Sequence, residues 1–314
     1  MSTLPCAIVG AGPAGVSAAV WLTTLGIAFE WYGRSDQPGG MLRRVHNRIE
    51  NFPPNLYENG QSLIDELSEY IRSVDLEGPE ARRVDRIIAS KEYCRIRFED
   101  GEDVLARLVI IATGTSYRML GIPGESEGLG RHVSQSATAD ADRFAGRPVA
   151  VVGGGDAGFE NALRLATAGC QVNLLLRNNR VCARHRFVDA VHAHPDIIIH
   201  PIPTTIQAIS KTAKGCALHL DRQGRPETLD VACLFIRIGV DPCLPHIEPS
   251  LDTHDGFLLV DAFQRTSHPR VLAAGDVTHT PLRSVATAMG AGAIAARTAA
   301  HHLSPEPCPL QPCD

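Results

Sequence analysis

"CAIVGAGPAGVSAAVWLTTLG" (Cys6–Gly26) and "VAVVGGGDAGFENALRLATAG" (Val149–Gly169) are the two stretches that decide the fold. Each reads as a short apolar strand, a Gly-x-Gly-x-x-Gly turn and an amphipathic helix that ends at a glycine. A second apolar strand follows each helix, in "IAFEWYG" (27–33) and in "QVNLLLR" (171–177). The repeat therefore predicts two doubly wound units in one chain.

The glycines of these turns have a steric purpose. They are Gly10, Gly12 and Gly15 in the first turn, and Gly153, Gly155 and Gly158 in the second. The first glycine makes the tight turn, the second lets the backbone approach a pyrophosphate, and the third lets helix and strand pack closely. The helix N-terminus then faces the phosphates. Two such turns, each between a strand and a helix, predict two dinucleotide sites.

Composition limits the classes of protein. The chain has 314 residues, enough for roughly two domains of about 150 residues. Charged residues are 21% and the net charge is -5, which argues against a nucleic-acid or membrane-surface partner. We expect neither a secretory signal nor a membrane span. The nine cysteines include no Cys-x-x-Cys pair, and we predict mostly buried thiols in a reducing cytoplasm.

Each unit closes in the same way. A hairpin at Asp100-Gly101 precedes a strand ending at Thr113-Gly114, and a hairpin at Gly224 precedes a strand ending at Gly239. The last segment, a strand, a loop and a helix of small residues, completes the first unit. We therefore expect an α/β fold with two Rossmann-like, three-layer ββα dinucleotide-binding domains. The second, 117–244, is inserted in the first, which comprises 1–116 and 245–314.

Seven motifs in order resemble those of low-molecular-weight thioredoxin reductases, over about residues 5–303. They are "GAGPAG" (Gly10–Gly15), "GGML" (Gly39–Leu42), "IENFPP" (Ile49–Pro54), "IATGT" (Ile111–Thr115), "GGGDAG" (Gly153–Gly158), "AAGDV" (Ala273–Val277) and "PLRSVATAMGAG" (Pro281–Gly292). The resemblance implies an oxidoreductase whose first domain binds FAD without a covalent link and whose second domain binds NADPH or NADH. It also implies a homodimer.

The resemblance assigns FAD contacts beyond the first glycine turn to Gly40, Met41, Asn51, Thr113, Gly114, Gly275, Asp276, Arg283, Ser284 and Val285. Asp276 would hold the ribityl chain, and Asn51 would lie near the isoalloxazine. Met41 replaces the glutamine usual in "GGQL". Residues 283–285 would begin the last helix beside the flavin ring, where free amides and the positive helix end stabilise negative charge.

The stretch "SATAD" (Ser136–Asp140) departs from the family, which reads Cys-Ala-Thr-Cys-Asp here. The family's dithiol takes two electrons from reduced flavin through a thiolate, which Ser136 and Ala139 cannot do. We therefore do not expect the usual thioredoxin reductase mechanism. Asp140 matches the family's proton-donating acid, and it remains open whether it is a relic, a helix N-cap or an acid–base group. Ser136 and Asp140 are the candidate catalytic residues.

The nucleotide side departs as well. The family's His-Arg-Arg-x-x-x-Arg signature is replaced by Leu176-Arg177-Asn178-Asn179-Arg180, with Arg184 nearby. Losing one charge-assisted contact, worth about 1.5–3 kcal/mol, weakens the preference for NADPH without removing it. We expect Arg177, Arg180 and Asp156 to contact the nucleotide. No metal site is expected, because His192 and His194 lack a third nearby ligand.

Three functions remain open at this point. The first is an enzyme in which NAD(P)H reduces FAD and electrons then pass directly, near Ser136, Ala139 and Asp140, to a non-dithiol acceptor. That acceptor is a small molecule, a quinone, oxygen or an iron–sulfur protein. The second is an FAD-dependent oxidase or dehydrogenase of a small metabolite. The third is a non-catalytic redox sensor. Cys308 and Cys313, in the proline-rich tail, are a rival redox pair.

Overall fold

Residues 3–178, 181–200 and 202–304 are described by the computed structural model. The chain forms two compact units, Met1–Ser116 with Asp241–Asp314, and Tyr117–Val240. The sequence predicts that 241–244 belong to the second domain, whereas these residues belong with the first unit. There the Cys243 amide donates to the Gly114 carbonyl at 2.9 Å.

Within the described residues, twenty strands are numbered β1 to β20 in chain order: Thr3–Val9, Phe29–Gly33, Glu80–Ala81, Val84–Ala89, Cys94–Phe98, Asp103–Ile111, Thr115–Tyr117, Val133–Ser134, Pro148–Val152, Gln171–Leu175, Ile197–Ile199, Thr204–Thr212, Gly215–Arg222, Arg225–Val231, Leu234–Ile236, Val240–Pro242, His246–Glu248, Thr253–His254, Phe257–Leu258 and Val271–Ala273. The same residues form seven α-helices, α1 to α7: Pro13–Thr24, Gly60–Ser73, Glu125–Gly128, Ala137–Asp140, Asp156–Thr167, His185–Ala193 and Val285–Leu303. Three 3-10 segments are Gly40–Arg44, Ala141–Phe144 and Gly275–Val277.

The first unit is built on one sheet. Strands β3, β2, β1 and β6 are neighbours, and β20 pairs in parallel with the carboxyl end of β6. The amino end of β6 pairs with β5 in an antiparallel extension that continues to β4 and β17. Helix α7 packs against α1, where the Ser17 hydroxyl donates to the Met289 carbonyl at 2.7 Å. The C-terminal segment therefore completes the first unit, as predicted.

The second unit contains a parallel sheet with the strand order β11-β10-β9-β15-β8 and a separate antiparallel sheet, β12-β13-β14. Its hairpin between β13 and β14 turns at Gln223 and Gly224. The apolar strands after the glycine-rich repeat, β2 and β10, also lie where the sequence predicts them.

Both units have three layers because their central strands are buried on two faces. In β1, Cys6 and Ile8 pack against the helices, whereas Ala7 and Val9 pack against the β4–β5 side. In β9, Val149 and Val151 pack against the helices. The alternate residues, Ala150 and Val152, pack against the antiparallel sheet. A parallel strand buried on both faces is apolar throughout. The predicted ββα architecture is confirmed in each unit.

Candidate functional site

The two glycine turns follow β1 and β9 and share one steric construction. A Cβ on Gly10 would lie 2.2 Å from the Ala112 carbonyl oxygen, and a Cβ on Gly15 would lie 2.0 Å from the Gly10 oxygen. In the second turn, a Cβ on Gly153 would lie 2.2 Å from the Arg237 oxygen. A Cβ on Gly158 would meet the Gly153 oxygen at 2.3 Å. Packing alone therefore requires glycine at the outer positions of both turns.

The middle glycines of the turns, Gly12 and Gly155, are different. They are the N-caps of α1 and α5, and neither helix has a side-chain cap hydrogen bond. A Cβ on either residue would meet nothing within 4 Å. Each of these residues therefore borders open space at a helix start, and a helix N-terminus favours a diphosphate there. This geometry suits one dinucleotide in each unit.

The "GGML" motif lies against the first turn. The Gly39 amide donates to the Ala11 carbonyl at 2.7 Å. A Cβ on Gly40 would lie 3.0 Å from the Gly12 Cα. Met41, in the 3-10 segment that follows, is partly buried, and Asn51 is exposed. The structure thus brings Gly40 to the turn.

The ends of β6 and β20 bring further predicted residues to the same edge of the sheet. The Ala112 amide donates to Val9 at 2.7 Å, so Thr113 and Gly114 follow directly beside the turn. The Thr113 hydroxyl oxygen is buried and has no hydrogen-bond partner. Such an orphaned polar atom fits a site completed by a ligand.

Gly275 and Asp276 follow β20. A Cβ on Gly275, where φ is +80°, would lie 2.7 Å from the Ala14 Cβ in the first turn of α1. Burial raises the pKa of the Asp276 carboxyl, and the positive charge of Arg283 opposes that shift. A partly buried carboxylate is suited to accept hydrogen bonds from the hydroxyls of a polyol chain.

Helix α7 begins where the sequence places it, at Val285. The Ser284 hydroxyl caps it by accepting from the Thr287 amide at 3.2 Å. Arg283 lies over the Phe257 ring, 4.0 Å from its centroid. Ser284 therefore has a structural role that the family resemblance did not indicate, although Ser-x-x-Thr before an apolar run is a recognisable cap pattern.

In the second unit an ion pair lies at the start of α5. The Asp156 carboxylate accepts from the Arg184 amide and from its Nε, each at 2.7 Å. These contacts lower the pKa of Asp156. The Cys182 amide donates to the Gly154 carbonyl at 2.8 Å, which holds the loop against the glycine turn. Sequence reasoning missed this pair, because nothing local links residues so far apart in the chain.

Arg177 is exposed just after β10. It therefore lies at the carboxyl end of a parallel strand, where nucleotide ligands of doubly wound sheets bind. Arg180 lies outside the described residues.

The stretch 136–140 forms a capped helical turn. The Ser136 hydroxyl accepts from the Ala139 amide at 3.3 Å and caps α4. The Asp140 carboxylate accepts from the Ser134 hydroxyl and pairs with Arg143, each at 2.7 Å. Ser136 is thus the cap of α4, whereas Asp140 is the N-cap residue of the 3-10 segment Ala141–Phe144, where its side chain makes no cap hydrogen bond.

Most described cysteines are buried, as predicted: Cys6, Cys94, Cys170, Cys216 and Cys233. Burial raises the pKa of both Cys6 and Cys94 to about 12 and that of Cys216 to about 11, which suppresses the reactive thiolate. Cys182 is exposed. Cys308 and Cys313 lie outside the described residues.

Metal sites and membrane-spanning helices are both absent from the described ranges. There, no group of three or more His, Cys, Asp or Glu side chains could hold a metal ion. In the same ranges, no helix is both long enough and apolar enough to cross a membrane.

Known proteins of similar sequence match most of this chain. The chain is 31% identical over 305 residues to a component of the alkyl hydroperoxide reductase of Pseudomonas putida, covering 94% of this chain and 57% of that protein. It is 29% identical to an NADH dehydrogenase of Ferdinandcohnia aciditolerans, with coverages of 94% and 57%. The chain thus spans just over half the length of these relatives.

Solved structures are also similar to this chain over nearly its whole length. The thioredoxin reductase of Lactococcus lactis superposes with a TM-score of 0.80 at 28% identity, covering 95% of this chain and 98% of that one. Residues 4–292 match the pyridine nucleotide-disulphide oxidoreductase family. The chain therefore belongs to this family of flavin-dependent enzymes and has a thioredoxin reductase-type fold.

Proposed function

We propose that this chain is an NAD(P)H-dependent flavoprotein oxidoreductase that reduces an acceptor without using a dithiol at 136–139. Bound FAD supplies a two-electron carrier between NAD(P)H and the acceptor. The observation that carries the proposal is the capped turn at Ser136. Its hydroxyl is hydrogen-bonded to the Ala139 amide, and neither residue can form a thiolate.

The first unit would hold FAD. The diphosphate would lie at the open amides around Gly12, close to Gly40. The unpaired Thr113 hydroxyl and the Asp276 carboxylate are available for the rest of the cofactor. Residues 283–285, at the start of α7, would lie beside the flavin ring, where the helix N-terminus favours negative charge. Met41 and Asn51 remain predicted contacts.

The second unit would hold NADPH or NADH at the turn around Gly155. Arg177, exposed after β10, is suited to the 2′-phosphate of NADPH, and Arg180 is a further predicted contact. Because one arginine of the family signature is missing, we infer that both nucleotides serve as reductants. Their efficiencies should differ by no more than about 100-fold.

The acceptor would be a small molecule, a quinone, oxygen or a small redox protein. Asp140 is a candidate proton donor for it. Its carboxylate is already bonded to Ser134 and Arg143, so this role requires one of these contacts to exchange. We also propose a homodimer, by family likeness, and a cytoplasmic location, which suits the unpaired buried thiols.

Anaerobic titration of the FAD-loaded protein with NADH and NADPH tests the proposal. We expect rapid flavin bleaching by both nucleotides, followed by reoxidation by one acceptor class in a screen. Bleaching only by a metabolite would favour an oxidase or dehydrogenase instead. Absence of bleaching would favour a non-catalytic sensor.

A double variant, Cys308→Ser with Cys313→Ser, tests whether the tail replaces the dithiol. Turnover with the acceptor found in the screen should be unchanged. Loss of turnover while NAD(P)H still bleaches the flavin would mean that a dithiol has been relocated, and the direct mechanism would be wrong. The unmodified protein should also fail to reduce an aromatic disulfide reagent.

A further inference from the structure

Arg237 lies beside the second glycine turn, directly after β15. Its amide donates to the Val152 carbonyl at 2.9 Å, and a Cβ on Gly153 would lie 2.2 Å from its carbonyl oxygen. The equivalent residue of the first unit is Ala112, whose amide donates to Val9 and whose carbonyl oxygen crowds Gly10 in the same way. An alanine therefore meets the structural needs of this position, so the fold does not require an arginine.

The Arg237 side chain is held in place but its charge is not neutralised. One terminal nitrogen donates to the Gln135 carbonyl at 2.7 Å, and the guanidinium lies 4.6 Å from the centroid of the Tyr117 ring. Its Nε is buried without a hydrogen-bond partner. In the part of the chain that the structure describes, no carboxylate pairs with it. A guanidinium that is held in place, and whose buried N–H has no hydrogen-bond partner, is suited to bind an anionic ligand.

The strand order indicates which part of a bound dinucleotide would lie near Arg237. The turn follows β9, Arg177 follows β10 on one side of it, and Arg237 follows β15 on the other side. A dinucleotide whose diphosphate lies at the turn extends its two nucleosides to opposite sides. If Arg177 meets the 2′-phosphate on the adenosine side, Arg237 lies on the nicotinamide side.

We propose that Arg237 binds the dinucleotide phosphate that carries the nicotinamide ribose. A guanidinium is well matched to phosphate because its planar fork can donate two parallel hydrogen bonds. Gln135 and Tyr117 position the fork, and Arg237 itself makes the contact. This inference rests on the proposed function, since it assumes that the second unit binds NAD(P)H.

Calorimetric titration of the FAD-loaded full chain tests the proposal, with NAD+, NADP+ and adenosine 2′,5′-bisphosphate as ligands. Arg237→Met should weaken NAD+ and NADP+ by a similar factor of about 10- to 100-fold. It should leave adenosine 2′,5′-bisphosphate unchanged, because that ligand lacks the second phosphate of the diphosphate. Arg237→Lys keeps the positive charge but lacks the planar fork. Its affinity for NAD+ and NADP+ should lie between those of the wild type and of Arg237→Met.

Arg177→Ala is the matched control. It should weaken NADP+ and adenosine 2′,5′-bisphosphate and leave NAD+ unchanged. Wild-type affinity for all three ligands in Arg237→Met would overturn the inference. Equal loss of all three would also overturn it, because the arginine would then support the fold rather than the ligand. If Arg237→Met does not fold, Arg237→Lys decides by the same comparison. If the wild-type protein binds none of the ligands, the proposed function itself is wrong.

Discussion

Replacing Gly12 by alanine separates the needs of folding from those of cofactor binding. Gly12 has φ -78° and ψ -176°, an extended conformation that alanine adopts without strain. A Cβ there would meet nothing within 4 Å. The stability of the apo protein should therefore change little, because the gain of about 0.4–1 kcal/mol from restricting the unfolded chain is opposed by the weaker preference of alanine for an N-cap.

The same methyl group should impair FAD binding. It would occupy the space in which the diphosphate approaches the amides at the start of α1. Displacing the phosphate from one of these amides removes a charge-assisted hydrogen bond worth about 1.5–3 kcal/mol. The dissociation constant for FAD should then rise by about 10- to 150-fold.

The assay has two readouts. Quenching of FAD fluorescence on titration of apo protein gives the dissociation constant, and thermal unfolding of the apo protein gives its stability. Gly15→Ala is the matched control, because its Cβ would lie 2.0 Å from the Gly10 oxygen and should destabilise the apo fold. Wild-type affinity for FAD in Gly12→Ala would refute the reasoning, as would a melting temperature of that apo variant as low as that of Gly15→Ala.

Four further predictions follow from the same structure. Asp276→Ala should lower the FAD content of the purified protein, and full occupancy, measured from the flavin absorbance, would contradict the assigned contact. Gly155→Ala should weaken NAD+ and NADP+ binding alike in calorimetry while the melting temperature changes little, because its Cβ also has open space. Arg177→Ala should raise the KM for NADPH more than that for NADH, and equal increases would show that Arg177 does not contact the 2′-phosphate. The Nδ1 atom of His200 accepts a hydrogen bond from Arg222 at 2.7 Å. Burial, then the Arg222 charge, lower the pKa of His200, so the folded state disfavours its protonation. The contribution of neutral His200 to the free energy of unfolding is present above about pH 6.5 and is lost as the pH falls below that value. His200→Gln should flatten this part of the urea-midpoint profile, and an unchanged slope would exclude His200 as a cause.

The sequence predicted the elements whose signals are local. Glycine spacing and apolar runs identified both turns, β1, β2, β9 and β10, because sterics and two-sided burial act on neighbouring residues. The insertion of the second domain followed from the need to complete the first sheet. The boundary lies at 240 rather than 244 because 241–243 stay beside 114–116, through pairing of β16 with β7 and the hydrogen bond from Cys243 to Gly114.

The contacts that the sequence did not reveal join residues distant in the chain. The Asp156–Arg184 pair depends on residues 182–184 lying against the turn. The position of Arg237 depends on β15 lying next to β9. Neither residue belongs to a periodic pattern, and pairing of strands far apart in sequence is set by the topology rather than by local preference.

The internal repeat offers a way to separate what the fold requires from what function requires. At each turn, backbone atoms alone crowd the outer glycines, and the strand-end residue beside the turn contributes only its amide and carbonyl. One unit fills that position with Ala112 and the other with Arg237, so the side chain there is free to vary without loss of the turn. The same reasoning applies to Ser136 and Ala139. The Ser136 hydroxyl caps α4 by accepting from the Ala139 amide, so this helix does not need a thiol at either position in order to form. We therefore expect the backbone to tolerate changes of side chain at 136–139 and at 237 independently. Variants at these positions should alter acceptor or nucleotide use while both cores remain intact.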